Sequence, residues 1–453
     1  MRQTFTYKEK LRQVVIVLFP VFITQLAIIS IGFFDTVMAG NASAYDLAGV
    51  AIAVNLFMPI FGGILGVISG LTPMIAQLYG AGKKEQLPFV VIQGIYLAII
   101  IGICVVLLGY LFADPVLRFM NLDARVETIA RGFFQAIAFG ICPIFISSSL
   151  RNFIDALGYT RVTMLITVCS VPINIIMNYL FIFGKFGFPQ LGGIGAGVGT
   201  AIAYWMVMII NIVVVCNCKP FKEYKIFATF FAVSFKDLRK QLAIGIPIGS
   251  AIFCEQSIFG AVGLFMAAYG TEVIAAHQAA LNFTTMVYMI PLSISMTLTI
   301  LVGFEVGAGR YTDAKQYTNM GMLISLLFSG TLASILIFYK AEISALYTHN
   351  LAVDQLIQVF LVYAIFLQLA DAVNAPMQGA LRGYKDVKVT LMLAIISFWI
   401  VGLPLGYGFA NFFSAGPYGY WIGLIAGIVV GAVLLFVRLW YIRRKYFHLE
   451  EKS

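Results

Sequence analysis

The chain has 453 residues, 61% hydrophobic and only 11% charged, with a net charge of +9 from 29 Lys and Arg against 20 Asp and Glu. A water-soluble domain of that size needs far more polar surface, so composition excludes one. Apolar stretches of about 20 residues recur instead, each able to cross a hydrocarbon core of about 30 Å as a helix, while the alternating strands of about 10 residues that a membrane barrel requires are missing.

In chain order, the basic tail MRQTFTYKEKLRQ leads into a first predicted span at 13–35. That run is long enough to cross and lacks a small-residue cleavage site, so it reads as a retained helix rather than a signal peptide. It ends on a carboxylate, Asp35. Further spans are predicted at 47–78, 88–113, 128–150, 162–184 and 192–216. The longest polar connection, 216–241, follows with six Lys and Arg, and then come spans at 241–265, 273–305, 316–339, 355–379, 388–411 and 418–440. The expected organisation is an N-lobe (1–217), a basic cytoplasmic linker (218–240) and a C-lobe (241–453).

Charge sets the expected orientation. Only Arg118, Arg125, Arg131, Lys185 and Lys340 fall on one side of the predicted spans, and the rest of the 29 basic residues fall on the other. The positive-inside rule therefore predicts cytoplasmic N- and C-termini for a multi-pass protein of the cell membrane. Under that partition no Lys or Arg remains in the middle of a span to pair with a buried acid.

The two halves echo each other. GAGKKEQ at 80–86 recurs as GAGRYTDAKQ at 307–316, and ALGYTRVT at 156–163 recurs as ALRGYKDVKVT at 380–390. Pro20 and Pro247 also take equivalent early positions in the first spans of the two halves, where each can kink its helix. Six spans per half is an even number, so both halves enter the membrane the same way round. The predicted fold is an all-α polytopic membrane protein of twelve transmembrane helices in two pseudo-symmetric six-helix bundles around a central cavity, the architecture of alternating access.

Three acids lie inside predicted spans: Asp35, Glu255 in AIFCEQSIFGA and Asp371 in FLQLADAVNA. A charge at mid-membrane costs on the order of 3 kcal/mol on insertion scales. Such groups are protonated, bound to a cation or open to water, or else are neutral carboxyls bonded to a neighbouring helix. Two acids on different spans supply the oxygen ligands a hard cation requires, and they equally well share a proton.

Other signals point to packing. The six cysteines have no zinc-ligand spacing and no disulfide framework, and the three histidines form no metal or nucleophile motif. GGIGAGVG at 192–199 opens a span instead of following a strand, which reads as close helix contact rather than dinucleotide binding. The 17 Met and 39 Phe mostly face lipid or core, and those that line a cavity suit adaptable recognition of flat cations.

The segments GFFDTVMAGNASAYDLAGVAI (32–52), PINIIMNYLFIFGKFGFPQLGGIGAGVGTA (172–201), AAHQAALNF (275–283), LRGYKD (381–386) and GLPLGY (402–407), together with the internal repeat, resemble the multidrug and toxic compound extrusion (MATE) family, most closely its NorM branch. The resemblance runs over essentially the whole chain. It implies a cation-driven exporter of organic cations and drugs, an antiporter exchanging substrate for Na⁺ or H⁺, with no resident cofactor. It implies coupling roles for Asp35, Glu255 and Asp371, with Na⁺ held at Glu255 and Asp371, and polar partners for Asp35 at Asn174, Asn178 and Thr200. It makes His277, Gln278 and Asn282 cavity candidates. One position departs from the pattern: Leu367 stands where NorM relatives tend to carry a tyrosine.

The expected function is thus multidrug efflux by alternating access, with small organic cations and the bilayer as partners, no nucleic acid, and a monomeric chain. A lipid-linked precursor flippase of the same superfamily is the alternative, and it requires basic side chains for a pyrophosphate. An intramembrane enzyme lacks its motif, and a channel would not accumulate substrate against a gradient.

Overall fold

A computed structural model describes residues 3–450, the last four of these by backbone alone. Among these described residues there are fourteen α-helices: α1 (Tyr7–Ala42), α2 (Ala44–Ser69), α3 (Leu71–Gly80), α4 (Leu87–Phe119), α5 (Ala124–Ala156), α6 (Thr160–Phe183), α7 (Gly193–Asn217), α8 (Phe235–Met266), α9 (Thr271–Gly307), α10 (Tyr311–Ala345), α11 (Leu351–Gly383), α12 (Val387–Ile395), α13 (Leu403–Asn411) and α14 (Pro417–Glu450). Helix is the expected answer for an apolar chain, because hydrocarbon offers no partner to an unpaired backbone group. α2 and α3 join at Gly70 into one span, and α12 and α13 join through a π-helical turn, Ile396–Gly402, into another. Among the described residues twelve helical segments are long and apolar enough to cross a membrane, one for each predicted span.

The chain divides into two compact units. Among the described residues, unit 1 takes Phe19–Gly249, and unit 2 takes 3–18 and 250–450. The divide therefore runs through α1 and α8 rather than through the 218–240 connection. Each unit uses glycine where backbones meet. A Cβ on Gly245 of α8 would collide with the Val67 carbonyl oxygen of α2, so this half of α8 needs glycine to join unit 1. Asp46 ties two helix ends together there: its carboxylate bonds the Ser43 hydroxyl at the start of α2 and accepts from the Gly193 amide at the start of α7, at 2.6 Å in both cases.

The polar connection is an ordered strap on unit 1. Gln93 on α4 donates to the Ala232 carbonyl at 2.8 Å and accepts from the Ser234 amide at 2.9 Å. Tyr96 donates to the Phe231 carbonyl at 2.9 Å, and Phe221 is buried against Phe153.

The repeat is visible in the turns. Gly82 and Gly309 stand 227 positions apart and share φ 74°, each with the same pair of closing amide bonds back into the preceding helix. The second echo shows that pattern at Gly158 (φ 87°) and at Lys385 (φ 60°), again 227 apart. Pro20 and Pro247 keep the same offset, inside α1 and α8.

Candidate functional site

Unit 1 holds one acidic cluster. Asp35 lies two turns before the end of α1, and its Oδ1 accepts from Asn178 Nδ2 at 2.5 Å while its Oδ2 accepts from Thr200 Oγ1 at 3.4 Å. The Asn178 amide also donates to Asn174 Oδ1 at 3.1 Å, and Asn174 Nδ2 donates to Thr200 Oγ1 at 3.2 Å. Spacing of i,i+4 on α6 puts both asparagines on one face, and glycine on α7 lets that face come close. A Cβ on Gly199 would collide with Asn178 Oδ1. That oxygen is buried and has no hydrogen-bond partner, which leaves a free acceptor beside the carboxylate. Tyr204 is close enough to feel the charge of Asp35. All four residues singled out by the sequence thus form one connected network.

Unit 2 holds the second cluster. Glu255 on α8 is half-buried, and its Oε1 accepts from the Tyr288 hydroxyl of α9 at 3.0 Å. Asp371 on α11, 5% exposed, lies near enough to Glu255 to feel its charge. Neighbouring bonds fix the three helices. Gln368, one turn before Asp371, donates to the Thr284 carbonyl of α9 at 2.9 Å. Trp399 of the π-helical turn donates to the Cys254 carbonyl next to Glu255 at 3.2 Å. Leu367 is fully buried in the core, so the hydroxyl at this cluster comes from Tyr288, a residue the sequence did not flag.

One expectation is corrected here. Glu255 is not without a basic neighbour, because the Arg382 guanidinium is near enough for its charge to act on that carboxyl. Arg382 is the next-to-last residue of α11, which runs beyond the span end expected at 379. Helical side chains lean toward the N-terminus of their helix, so a base placed at the end of a span still reaches inward.

The cavity candidates separate. His277 is fully buried, with its Nδ1 accepting from Trp421 Nε1 at 3.1 Å and its ring edge-on to Phe360 and Trp421. Packing of that kind removes it from any lining. Gln278 and Asn282 are exposed on α9, and Asn282 Oδ1 accepts from the Tyr347 hydroxyl at 3.3 Å. Two further acids, Asp155 and Glu305, are buried near helix ends but are held by Arg151 and Arg310, so neither is free for coupling. Among the described residues no group of three or more His, Cys, Asp or Glu gathers as a metal centre.

Twelve spans and two acid clusters within them, each set in hydrogen-bonding side chains, define a polytopic helical membrane transporter. The MatE family model matches residues 20–180 and 247–408, one stretch in each half, and the chain belongs to that family, whose members are transporters and not enzymes. It is 50% identical over 450 residues to the probable multidrug resistance protein NorM of Bacillus licheniformis, covering 99% of this chain and 100% of that one. It is 49% identical over 446 residues to the protein of the same name in Bacillus subtilis, covering 98% and 99%. Among solved structures, the eukaryotic MATE transporter AtDTX14 superposes with a TM-score of 0.87 at 21% identity, covering 98% of this chain and 99% of that chain. The bent form of the Vibrio cholerae MATE transporter VcmN gives 0.85 at 20%, covering 98% of each. These structural likenesses establish the fold.

Proposed function

We propose that this chain is a multidrug efflux antiporter, exporting organic cations in exchange for Na⁺ or H⁺ by alternating access, with both termini in the cytoplasm. The observation that carries the reading is the pair of acid clusters set in buried polar networks, in a chain whose near-full-length relatives are named as multidrug resistance proteins. Asp35, Glu255 and Asp371 are the coupling groups. Desolvation makes an uncompensated carboxylate seek a proton or a cation, and an organic cation answers that need as well as a small ion does. Loading the inward-flowing ion therefore lowers affinity for the drug, which leaves on the outer side.

Either ion suits the ligands present. Glu255, Asp371 and the Tyr288 oxygen are hard donors appropriate to Na⁺, and the free Asn178 oxygen beside Asp35 is another. Asn174 and Thr200 hold the Asp35 network in register, and Gln278 and Asn282 are exposed polar groups of α9 available to substrate. Support for cytoplasmic termini comes from the distribution of Lys and Arg.

A lipid-linked precursor flippase needs basic side chains to hold a pyrophosphate, and Arg382, at the end of α11, is a single base whose charge reaches Glu255. Two carboxylates share those surroundings, however, and they would repel a pyrophosphate. The relatives' names also favour drug export.

The test is efflux of ethidium from everted vesicles, driven separately by a Na⁺ pulse and by a pH jump. We expect uphill transport in the wild type and a loss of at least about tenfold in Asp35→Asn, Glu255→Gln and Asp371→Asn. If all three neutral variants pump like the wild type, the reading is wrong.

A further inference from the structure

The strap between α7 and α8 lies along one stripe of α4. Phe89, Gln93, Tyr96, Ile100, Ile103 and Leu107 follow at spacings of four, three, four, three and four residues, which puts them on a single face. The first three hold the strap. The Phe231 ring meets Phe89 edge-on at 5.5 Å between centroids, Gln93 binds the Ala232 carbonyl and the Ser234 amide, and Tyr96 binds the Phe231 carbonyl. The last three are exposed aliphatic side chains in mid-span, the surface that a membrane helix turns to lipid. The strap therefore continues the lipid-facing surface of unit 1 toward the start of α4.

Its depth follows from the same bonds. Gln93 and Tyr96 stand five and eight positions inside the span predicted from residue 88. At the helical rise that is about 8 and 12 Å along the axis. Irregular backbone is tolerated at such depth only when the protein satisfies its polar groups. The carbonyls of 231 and 232 and the amide of 234 meet that condition through α4.

The outward side of the strap is aromatic and basic. Phe230 is 90% exposed and Phe235 81%. Between 216 and 241 six Lys and Arg stand against two acids, Glu223 and Asp237. Asp237 already has Lys240 at 2.8 Å, whereas Lys222, Lys225 and Arg239 are exposed and make no ion pair among the described residues.

We propose that the strap is a membrane anchor: Phe230 and Phe235 insert at the boundary between headgroups and acyl chains, and Lys222, Lys225 and Arg239 bind the phosphates of anionic phospholipids. Aromatic rings favour that boundary. Each Lys or Arg near an anionic surface strengthens the attraction by about fivefold. The anchor belongs to the surface of unit 1 and does not depend on the transport reading.

The experiment reconstitutes the full chain in vesicles of phosphatidylcholine mixed with phosphatidylglycerol. Phe230→Trp adds a fluorophore at a side chain that is almost wholly exposed, and its signal is read as the difference from wild type. The added emission is expected to be quenched by lipid brominated near the top of the acyl chain, and to be reached by aqueous acrylamide several-fold less than free tryptophan is. Quenching by acrylamide as for free tryptophan, with no effect of brominated lipid, overturns the proposal and leaves the aromatic face to a soluble partner. The basic residues are tested by placing the bromine on one lipid or the other in the same mixture, at equal bromine content. Brominated phosphatidylglycerol is expected to quench at least about twofold more than brominated phosphatidylcholine. Lys222→Gln, Lys225→Gln and Arg239→Gln combined should abolish that preference, and so should raised salt, which screens the headgroups without any substitution. Equal quenching by the two lipids, or a preference that survives the added salt, overturns the proposal.

Discussion

Asn178 shows how narrowly the first cluster is built. Its amide nitrogen serves both Asp35 and Asn174, and the room for it exists because residue 199 has no side chain. Gly199→Ala is therefore expected to displace Asn178 from Asp35 and to lower transport by about tenfold or more, a loss that an efflux assay reads directly. Asn178→Leu removes a bond to a charged group, worth about 1.5–3 kcal/mol in other proteins, and should lower the unfolding temperature as well as the rate. Wild-type efflux in Gly199→Ala would show that the close contact is not needed. At this scale the sequence was readable where spacing carried the signal: two amides at i,i+4 in an apolar run must face a polar partner on a neighbouring helix. Tyr288 and Arg382 were hidden for physical reasons. One is among 22 tyrosines with nothing local to mark it, and the other stands at a helix end, where position along the chain says nothing about where a long side chain reaches.

Elements were legible in number and placement, less so at their ends. α11 extends from Leu351 to Gly383 against an expected 355–379, because a helix can run past the hydrocarbon core once its outer face meets headgroups and water. The π-helical turn at Ile396–Gly402 left no trace in the apolar pattern of its span. Just beyond α11, Lys385 occupies the left-handed position that glycine fills in the first half, at a strain of about 1 kcal/mol. Burial also drives its ammonium down to about 8. Between about pH 8 and the unfolded lysine value near 10.4, the unfolded chain still holds a proton that the folded chain has released, so stability should rise with pH across that window. Thermal unfolding at pH 7.5 and 9.5 checks this: the rise should be present in wild type and absent in Lys385→Met. The strap makes a different prediction. Gln93→Leu leaves the Ala232 carbonyl and Ser234 amide without their partner, and proteolysis within 225–234 should accelerate several-fold. Unchanged cleavage would mean the aromatic contacts hold the segment by themselves.

For the whole molecule, duplication was readable from two sequence echoes, and the structure adds that the turns they mark keep one offset and one hydrogen-bond pattern. Where the units divide was not readable. The basic connection looks like a divider because it is long and polar, yet Gln93 and Tyr96 fasten it to unit 1, and residues 3–18 group with unit 2. Contacts made across long sequence separations decide such matters, and a hydropathy pattern carries no record of them. The transport account depends on mutual exclusion of drug and driving ion at buried carboxylates. Its most direct test is the Kd of a fluorescent monocation on the purified chain, titrated separately with Na⁺ and with acid. The account predicts that one of these ions raises Kd by at least about tenfold, and that Glu255→Gln and Asp371→Asn lose this dependence. A Kd indifferent to both ions in the wild type, or equally responsive in the two variants, would contradict it.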